Sequence, residues 1–261
     1  MRVPVVHQQG RRRRARFGRV LWSGAEVLVT LGVVLLLLVA HQLWWTNRQA
    51  REGAERKVQA LEREWEDGGE EGDGGGGGGG EFVLGAEGAS PDSRRSSSGA
   101  GGRSSGSAQP RWTQAYAVLS IPRLGLRVPV AEGVSKGDVL NKGYVGHYPG
   151  TAQPGRAGNF ALAGHRNTHG EPFRYINRLR RGDRIQVETR AAVYTYVVDR
   201  TLPSTSAGDG GVIREVPHSA VKPSYGYADP GHYLTLTTCT PEYTSTYRLV
   251  VWGKLGSMRP R

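Results

Sequence analysis

Cysteine is almost absent from this 261-residue chain, in which Cys239 is the only one. A single thiol excludes an internal disulfide framework, and it excludes a zinc or iron–sulfur site built from several cysteines. Hydrophobic residues make up 37% of the chain, below the level of an ordinary globular domain, while the 39 glycines exceed that level. The chain therefore cannot be globular over its whole length. Clustered carboxylates of the kind that form a calcium loop are also missing from residues 111–261.

Negative charge is missing from the first 20 residues, which carry seven arginines and no acid. Residues 46–110 hold eight bases and twelve acids, whereas residues 111–261 hold twenty bases and ten acids. A basic run can mark a nucleic-acid-binding surface. Here an apolar segment follows the arginines directly and explains them better, so we expect no nucleic-acid partner.

An uncharged apolar segment over residues 27–45 is long enough to cross a membrane. At about 1.5 Å per residue, a helix over this segment reaches about 28 Å, the thickness of one hydrocarbon core. Tryptophans typical of a membrane interface flank it at Trp22, Trp44 and Trp45. Because the arginines precede the segment, the positive-inside rule predicts a cytoplasmic basic tail over residues 1–20, a transmembrane signal-anchor helix over residues 21–45 and an extracellular remainder.

A cleaved signal peptide is the alternative interpretation of the same segment. Its best cleavage site, Leu38-Val39-Ala40, matches the small-x-small pattern poorly. The flanking tryptophans favour a retained anchor. We therefore predict a single-pass membrane protein.

Residues 46–110 have the composition of a spacer, first charged and then rich in glycine and serine. Residues 46–67 permit a helix, but the charge pairs at i,i+4 give little support, since Glu52 and Arg56 attract while Glu62 and Glu66 repel. Seven consecutive glycines follow at residues 74–80. A phosphate-binding glycine loop needs a strand before it and a helix after it, and neither is predicted here.

A flexible tether is the better interpretation of residues 68–110. As a random coil this stretch would have an r.m.s. reach of about 35–40 Å, enough to hold a domain off the membrane within a cell-wall layer. We expect residues 1–110 to contribute location and no chemistry.

Residues 111–261 alternate short apolar runs with turn residues, which predicts a closed or sandwich-like β domain. The predicted strands are Ala115–Ile121, Leu126–Val130, Asn159–Ala163, Arg184–Glu188, Val193–Arg200, Tyr233–Cys239 and Tyr247–Lys254. A capping box at Ser135 and Asp138 predicts one short helix, and Glu171–Leu179 a second. Residues 201–231 are predicted to be a long loop, which is often a binding element.

Cys239 ends an apolar strand, where its side chain can face a groove. An unpaired cysteine outside the membrane is uncommon, which favours a functional thiol over a packing residue. A thiol nucleophile needs a proton-transfer partner and a positive group for the developing oxyanion. His165 follows another short strand, and Arg248 opens the strand after Cys239, where antiparallel pairing would bring it beside the thiol. Taken singly, a histidine is more often structural and an arginine more often a solvated charge.

Three separated motifs together resemble the active-site segments of sortases. They are Ala163-Gly164-His165-Arg166, Leu234 to Pro241 (Leu-Thr-Leu-Thr-Thr-Cys-Thr-Pro) and Tyr247 to Gly253 (Tyr-Arg-Leu-Val-Val-Trp-Gly). The resemblance covers residues 112–256 and implies an eight-stranded β-barrel with short helices and a cysteine transpeptidase activity. It implies that Cys239 is the nucleophile, that His165 is the general acid and base, and that Arg248 stabilises the oxyanion or positions the substrate carbonyl. Thr238 would line the groove for the sorting signal.

Two segments are most similar to the class E sortases of actinobacteria. These are Thr-Thr-Cys-Thr-Pro around the cysteine and Gly146-His147-Tyr148-Pro149-Gly150. The resemblance implies a preference for Leu-Ala-x-Thr-Gly signals over Leu-Pro-x-Thr-Gly signals. Tyr148 is the candidate for reading the second position, although it could equally be a turn aromatic beside Pro149. Class D is less similar, and the pilin-polymerising class is disfavoured because no second apolar segment follows the strands.

The resemblance implies a reaction in two steps. The thiol cleaves a C-terminal sorting signal between threonine and glycine, and a peptidoglycan-precursor amine then takes up the acyl group. The expected partners are therefore secreted proteins with sorting signals and a cell-wall amine. No cofactor is expected, because the energy comes from the exchanged amide.

Two alternative interpretations concern metal binding and catalysis itself. His165 and His169 have the i,i+4 spacing of helical metal ligands, but Asn167, Gly170 and Pro172 predict a loop there and no third ligand is evident, so no metal is expected. The positive domain could instead be a non-catalytic module that binds anionic wall polymers. The presence of Cys239, His165 and Arg248 together argues against that module.

Overall fold

Eight strands close into a barrel, as the resemblance implied. The computed structural model describes residues 9–67 and 114–261. A long helix, α1 (Gln9–Asp67), precedes the strands β1 (Ala115–Ile121), β2 (Leu126–Glu132), β3 (Val145–His147), β4 (Gly158–Ala163), β5 (Arg184–Thr189), β6 (Ala192–Ser206), β7 (His232–Thr240) and β8 (Tyr247–Pro260). Around the barrel the order is β1-β2-β3-β4-β7-β8-β6-β5, and β5 returns to β1.

Alternation along the strands divides the apolar residues between the barrel interior and its outer surface. The interior core contains Leu119, Phe160, Leu162, Leu234 and Leu236, all fully buried. On the outer surface of β6, β7 and β8, a second cluster is formed by Leu202, Val212, Tyr227, Tyr233, Val250 and Trp252. The segment between β6 and β7, predicted as a long loop, therefore covers one side of the barrel.

The two predicted short helices are wrong in extent. Between β4 and β5 only Ile176–Arg178 forms a single 3-10 turn, and Glu171, the first residue of the predicted helix, has a left-handed φ of 55° outside the α-helical region. After β2 the helical turn is Leu140–Lys142, also 3-10. The Ser135 hydroxyl accepts from the Asp138 amide at 3.4 Å and donates to the Asp138 carboxylate at 2.9 Å, but no α-helix follows this pair. Strands β6 and β8 are longer than predicted, because their pairing with each other continues from Ala192 to Ser206.

Helix α1 is long enough and apolar enough to cross a membrane over its first part. The side chains of residues 27–45 are exposed on every face, as expected for a segment that meets lipid. The helix continues to Asp67, through the charged stretch predicted as the start of the spacer.

The C-terminal part of α1 packs directly on the barrel. Ala54, Val58, Leu61 and Trp65 follow a helical period along one face and are buried. Val58, Leu61 and Trp65 cluster with residues on the outer surface of β1 and β2 and with the loop that follows, namely Ala115, Val118, Ala131 and Val139. Arg127 of β2 also forms an ion pair with Glu62. Tertiary packing, and not the i,i+4 charge pairs, therefore stabilises this helix.

The predicted tether, residues 68–110, lies outside the described residues. Trp65 before it and Ala115 after it belong to the same apolar cluster. The two ends of the undescribed stretch therefore lie close together on the barrel surface.

Candidate active site

Cys239 and Arg248 face each other across two neighbouring strands. Strands β7 and β8 pair antiparallel, and Cys239 is in register with Arg248. Leu234 and Leu236 point into the barrel, so Cys239, three residues beyond Leu236, alternates to the outer surface. Its thiol is free and partly exposed. The antiparallel arrangement expected for this pair is confirmed.

His165 reaches the same end of the barrel because its strand runs parallel to the strand of Cys239. Ala163 at the end of β4 is in register with Thr237 of β7. The Gly164 amide donates to the Thr237 carbonyl at 3.2 Å, and the Thr238 hydroxyl donates to the Gly164 carbonyl at 2.8 Å. Both strands therefore end side by side, and the residues that follow them share one surface.

Arg166 connects the His165 loop to the end of β7. Its Nη1 donates to the carbonyl oxygen of Cys239 at 3.0 Å. The residue is only 8% exposed, and its Nε has no hydrogen-bond partner in the described part of the chain. This arginine belongs to the motif Ala163-Gly164-His165-Arg166, but no role was predicted for it from the sequence. The signal that could have revealed it is its position directly after a candidate catalytic histidine.

The environment of His165 keeps its imidazole neutral. The ring is half-buried and stacks on His169 at a centroid distance of 5.3 Å. Burial, together with the positive charges of His169 and Lys136, lowers the pKa of His165 to about 4. Its Nε2 lies 2.9 Å from the side-chain oxygen of Asn141, an acceptor, so Nε2 carries the proton and Nδ1 is left to accept one.

Asn141 was not found by sequence reasoning. It lies in the 3-10 turn after β2, 24 residues before the histidine, and no motif marks it. Only the folding of that turn against the His165 loop reveals the contact.

The Arg248 side chain lies along the loop between β7 and β8. Its Nη1 donates to the carbonyl oxygens of Ser245 at 2.8 Å and Tyr247 at 3.0 Å. The guanidinium is therefore bound to the backbone that connects it with Cys239. A planar guanidinium carries five donors, so further donors remain for a substrate carbonyl.

Tyr148 and Thr238 occupy different sides of β7. The Thr237 hydroxyl donates to the Leu162 carbonyl at 3.1 Å, so the Tyr148 hydroxyl, 3.1 Å away, donates to Thr237. Thr237 alternates to the same surface as Cys239, which places the phenol on that surface and leaves its oxygen lone pairs as acceptors. Thr238 is buried, and its hydroxyl is used on Gly164.

The histidine pair in the loop after β4 does not form a metal site. His165 and His169 lie in a loop, as predicted, and residues 9–67 and 114–261 contain no group of three histidine, cysteine or acidic side chains suited to a metal ion. A cavity of about 590 Å³, lined by Arg200, Tyr227 and Lys254 among others, also includes His232 at the opposite end of β7 from Cys239. None of Cys239, His165 and Arg248 lines this cavity, so it is separate from the candidate active site.

Comparison with known proteins decides the family. Residues 119–256 match the sortase domain. The chain belongs to the sortase family. This sortase is 43% identical over 241 residues to Sortase SrtE1 of Streptomyces coelicolor, a match that covers 90% of this chain and 57% of that protein. It is 32% identical over 255 residues to Sortase SrtE2 of the same organism, covering 94% of this chain and 87% of that protein. The sortase thus spans little more than half the length of SrtE1.

The class E assignment is supported, and class D is the weaker match. The crystal structure of sortase E1 from Streptomyces coelicolor with a tripeptide in its active site matches with 52% identity and a TM-score of 0.54, covering 57% of this chain and 92% of that one. Sortase D of Bacillus subtilis is 34% identical over only 93 residues, or 36% of this chain. The sequence resemblance to class E sortases is therefore confirmed.

Proposed function

We propose that this sortase is a membrane-anchored cysteine transpeptidase. In our proposal it cleaves a C-terminal sorting signal between threonine and glycine and joins the released acyl group to a cell-wall peptidoglycan amine. The observation that carries the proposal is that the segments bearing Cys239, Arg248 and His165 meet at one end of the barrel. Cys239 and Arg248 share one register position, and the His165 loop is bound to the same strand end through Gly164 and Arg166.

The first half-reaction begins with the transfer of the Cys239 proton to His165. A neutral imidazole can accept this proton, and burial keeps His165 neutral before substrate binds. The thiolate attacks the threonine carbonyl, and the C–N bond to glycine breaks as His165 returns the proton to the leaving amine. The product is a thioester on Cys239.

The second half-reaction reverses these roles. The acceptor amine attacks the thioester carbonyl, His165 takes the amine proton, and the C–S bond breaks to form a new amide. The leaving thiolate of Cys239 recovers the proton from His165. Arg248 donates to the carbonyl oxygen that becomes negative in both tetrahedral intermediates.

Tyr148 is proposed to read the second residue of the signal. Because its hydroxyl proton is used on Thr237, the phenol presents acceptor lone pairs toward the groove. A backbone N–H can donate to them when that residue is alanine but not when it is proline, which lacks the N–H. Thr238 is proposed to shape the groove from beneath, through its bond to Gly164.

The proposed topology places the catalytic barrel outside the cell. The arginines before the apolar part of α1 favour a cytoplasmic N-terminus. The proposed partners are secreted proteins with sorting signals and a peptidoglycan-precursor amine, both of which meet the enzyme on the outer side of the membrane.

Mass spectrometry of products tests the proposal directly. The full chain in lipid nanodiscs is incubated with a Leu-Ala-x-Thr-Gly peptide and triglycine as a simple primary amine. We expect a ligated peptide, and no ligation with the Cys239→Ala variant. Binding of an unaltered peptide would instead favour the non-catalytic wall-binding module and would refute the proposal.

A second peptide, with proline in place of alanine, tests the role of Tyr148. We expect the wild type to prefer the alanine peptide, and Tyr148→Phe to narrow this preference because phenylalanine keeps the ring but lacks the acceptor. An unchanged preference in that variant would exclude Tyr148 as the determinant.

A further inference from the structure

The part of α1 just outside the predicted membrane segment contacts the loop that carries His165. The Asn47 side chain donates to Glu171 at 3.0 Å, and Arg51, one turn later, donates to the other carboxylate oxygen at 2.9 Å. Arg51 also donates to the Gly170 carbonyl at 3.1 Å, and the Gly170 amide donates to Asn47 at 3.3 Å. We call Asn47, Arg51 and Glu171 the Glu171 clamp.

Glu171 is nearly inaccessible to water, so its charge depends on these partners. Its side chain is 5% exposed, and it accepts a second charged contact from Arg174 at 2.7 Å. Removal of one partner from a buried charge leaves part of that charge uncompensated. The helix therefore contributes one of the two arginines that hold this carboxylate in place.

The clamp is connected to both catalytic segments. Arg174 also pairs with Glu242 at 2.9 Å and donates to the Tyr243 hydroxyl at 3.2 Å. Both of these partners lie in the loop between β7 and β8, which joins Cys239 to Arg248. A chain of polar contacts thus runs from α1 through Glu171 and Arg174 to the two sides of the site.

The backbone of the clamped loop needs external support. His169, Gly170 and Glu171 are consecutive residues with left-handed φ values of 50°, 84° and 55°. Non-glycine residues adopt this conformation only where surrounding contacts over-determine it. The helix also approaches the neighbouring turn closely, since a Cβ on Gly143 would lie 2.8 Å from the Ala50 carbonyl oxygen. The contacts from α1 supply the support that the strained loop requires.

We propose that the Glu171 clamp positions the His165 loop and holds the catalytic end of the barrel at the level of the lipid headgroups. Asn47 lies two residues beyond Trp45, about 3 Å farther along the helix axis. The proposal rests on the proposed transpeptidase function and extends it. Asn47, Arg51 and Glu171 are positioning residues, since they act on His165 through the loop.

Kinetics of the full chain in lipid nanodiscs test the positioning role. The variants are Arg51→Ala, Glu171→Gln and the double variant, and the readout is transfer of the Leu-Ala-x-Thr-Gly peptide, per active site counted by alkylation of Cys239. We expect each single variant to lower kcat about tenfold with KM for the peptide nearly unchanged. The double variant should be no slower than Glu171→Gln, because both changes remove the same contact.

Arg48→Ala is the matched control. Arg48 lies on the same helix but pairs with Glu52 of that helix, and both side chains are largely exposed. We expect its kcat to stay within twofold of wild type. The positioning role would be overturned if kcat of the clamp variants also stayed within twofold of wild type. It would also be overturned if the fold-losses in kcat of the two single variants multiplied in the double variant. If the wild type itself transfers no peptide, the proposed function fails instead, so the two failures are distinguishable.

A fluorescent alkylating label tests the position at the membrane. Because Cys239 is the only cysteine, the label marks the active site alone. Energy transfer to acceptors attached to lipid headgroups should be strong in the full chain and unchanged in Arg48→Ala. Weak transfer, as expected for a barrel at the end of an extended tether, would overturn this part of the proposal.

Discussion

The catalytic candidates are held in place in two different ways. Cys239 and Arg248 lie on β7 and β8, where paired main-chain groups set their relative position through eight consecutive register pairs. His165 lies on a loop, where a main-chain bond from Gly164 to Thr237 is joined by side-chain contacts from Asn141, Arg166 and the Glu171 clamp.

Because of this difference, we expect the site to tolerate substitutions on the two strands better than substitutions around the His165 loop. Main-chain pairing survives most side-chain substitutions, so a change on β7 or β8 removes one function and leaves the geometry intact. A loop that depends on several side-chain contacts is expected to be displaced more readily when one of them is removed. Substitutions around His165 are therefore expected to act at a distance, whereas those at Cys239 and Arg248 act locally.

The largest expected effect is the loss of the nucleophile. Cys239→Ala should abolish both cleavage and transfer, because no sulfur remains to accept the acyl group. His165→Ala should lower the rate by about 10²–10⁴, the usual contribution of general acid–base catalysis. It should still leave a thiol that alkylating reagents modify. Intact-mass measurements distinguish the two, and residual transfer by Cys239→Ala above a buffer control would refute the assignment of the nucleophile.

The next largest loss of activity is expected at Arg248, the second candidate residue on a strand. Arg248→Lys keeps the charge but loses the planar set of donors, so we expect a fall in kcat of about 10²–10³, typical for the loss of one oxyanion donor. Peptide cleavage rates measure it, and alkylation of Cys239 confirms that the strand is intact. Near-normal turnover by the lysine variant would show that Arg248 does not contact the reacting carbonyl.

A smaller loss of activity is expected at Arg166, whose side chain bonds the His165 loop to strand β7. Arg166→Gln removes the charged donor to the Cys239 carbonyl, so the His165 loop loses one attachment to β7. We expect kcat to fall about tenfold by misalignment of His165. Arg166→Lys, which can still donate to that carbonyl, should recover part of the loss. Equal activity in both variants would mean that this bond does not position the loop.

The smallest expected effect is on the pH dependence of stability. The folded-state pKa of His165 is about 4, below the ordinary value of 6.5. Between these two values the unfolded chain binds a proton that the folded protein does not, so the free energy of unfolding decreases as pH falls. His165→Gln removes this contribution. Its Tm should therefore fall less than that of wild type between pH 6.5 and pH 4, as followed by circular dichroism. Parallel Tm curves would contradict the burial of a neutral imidazole.

Much of the strand framework could be predicted from the sequence. Short apolar runs ending at Pro, Gly or polar residues located seven of the eight strands, and only the three-residue β3 was missed, because a run of that length carries no periodicity. The Cys239 and Arg248 pair followed from the same patterns, since a short connection between two strands favours antiparallel pairing. The loop-borne contacts were not predictable in this way. Asn141 and Arg51 become neighbours of the His165 loop only through the path of other segments.

The helix over residues 46–67 was likewise not predictable from local sequence alone. Its i,i+4 charges suggested little helical stability, yet Val58, Leu61 and Trp65 make it a docked helix. The apolar stripe is visible in the sequence, but its partner surface on β1 and β2 exists only after the barrel has closed.

Local sequence patterns were enough to identify an apolar segment long enough to cross a membrane, seven of the eight strands and the three candidate catalytic residues. Each of these depends on local composition, on period-two alternation or on residues that end a strand, and all of these are properties of short segments. Only the tertiary structure decided where the barrel sits on α1, how the strained His165 loop is supported and which side chains connect the two. These contacts join residues that are distant in sequence, such as Arg51 and Glu171, which lie 120 positions apart. Their physical basis is burial of charge and apolar surface between segments, which no single segment encodes.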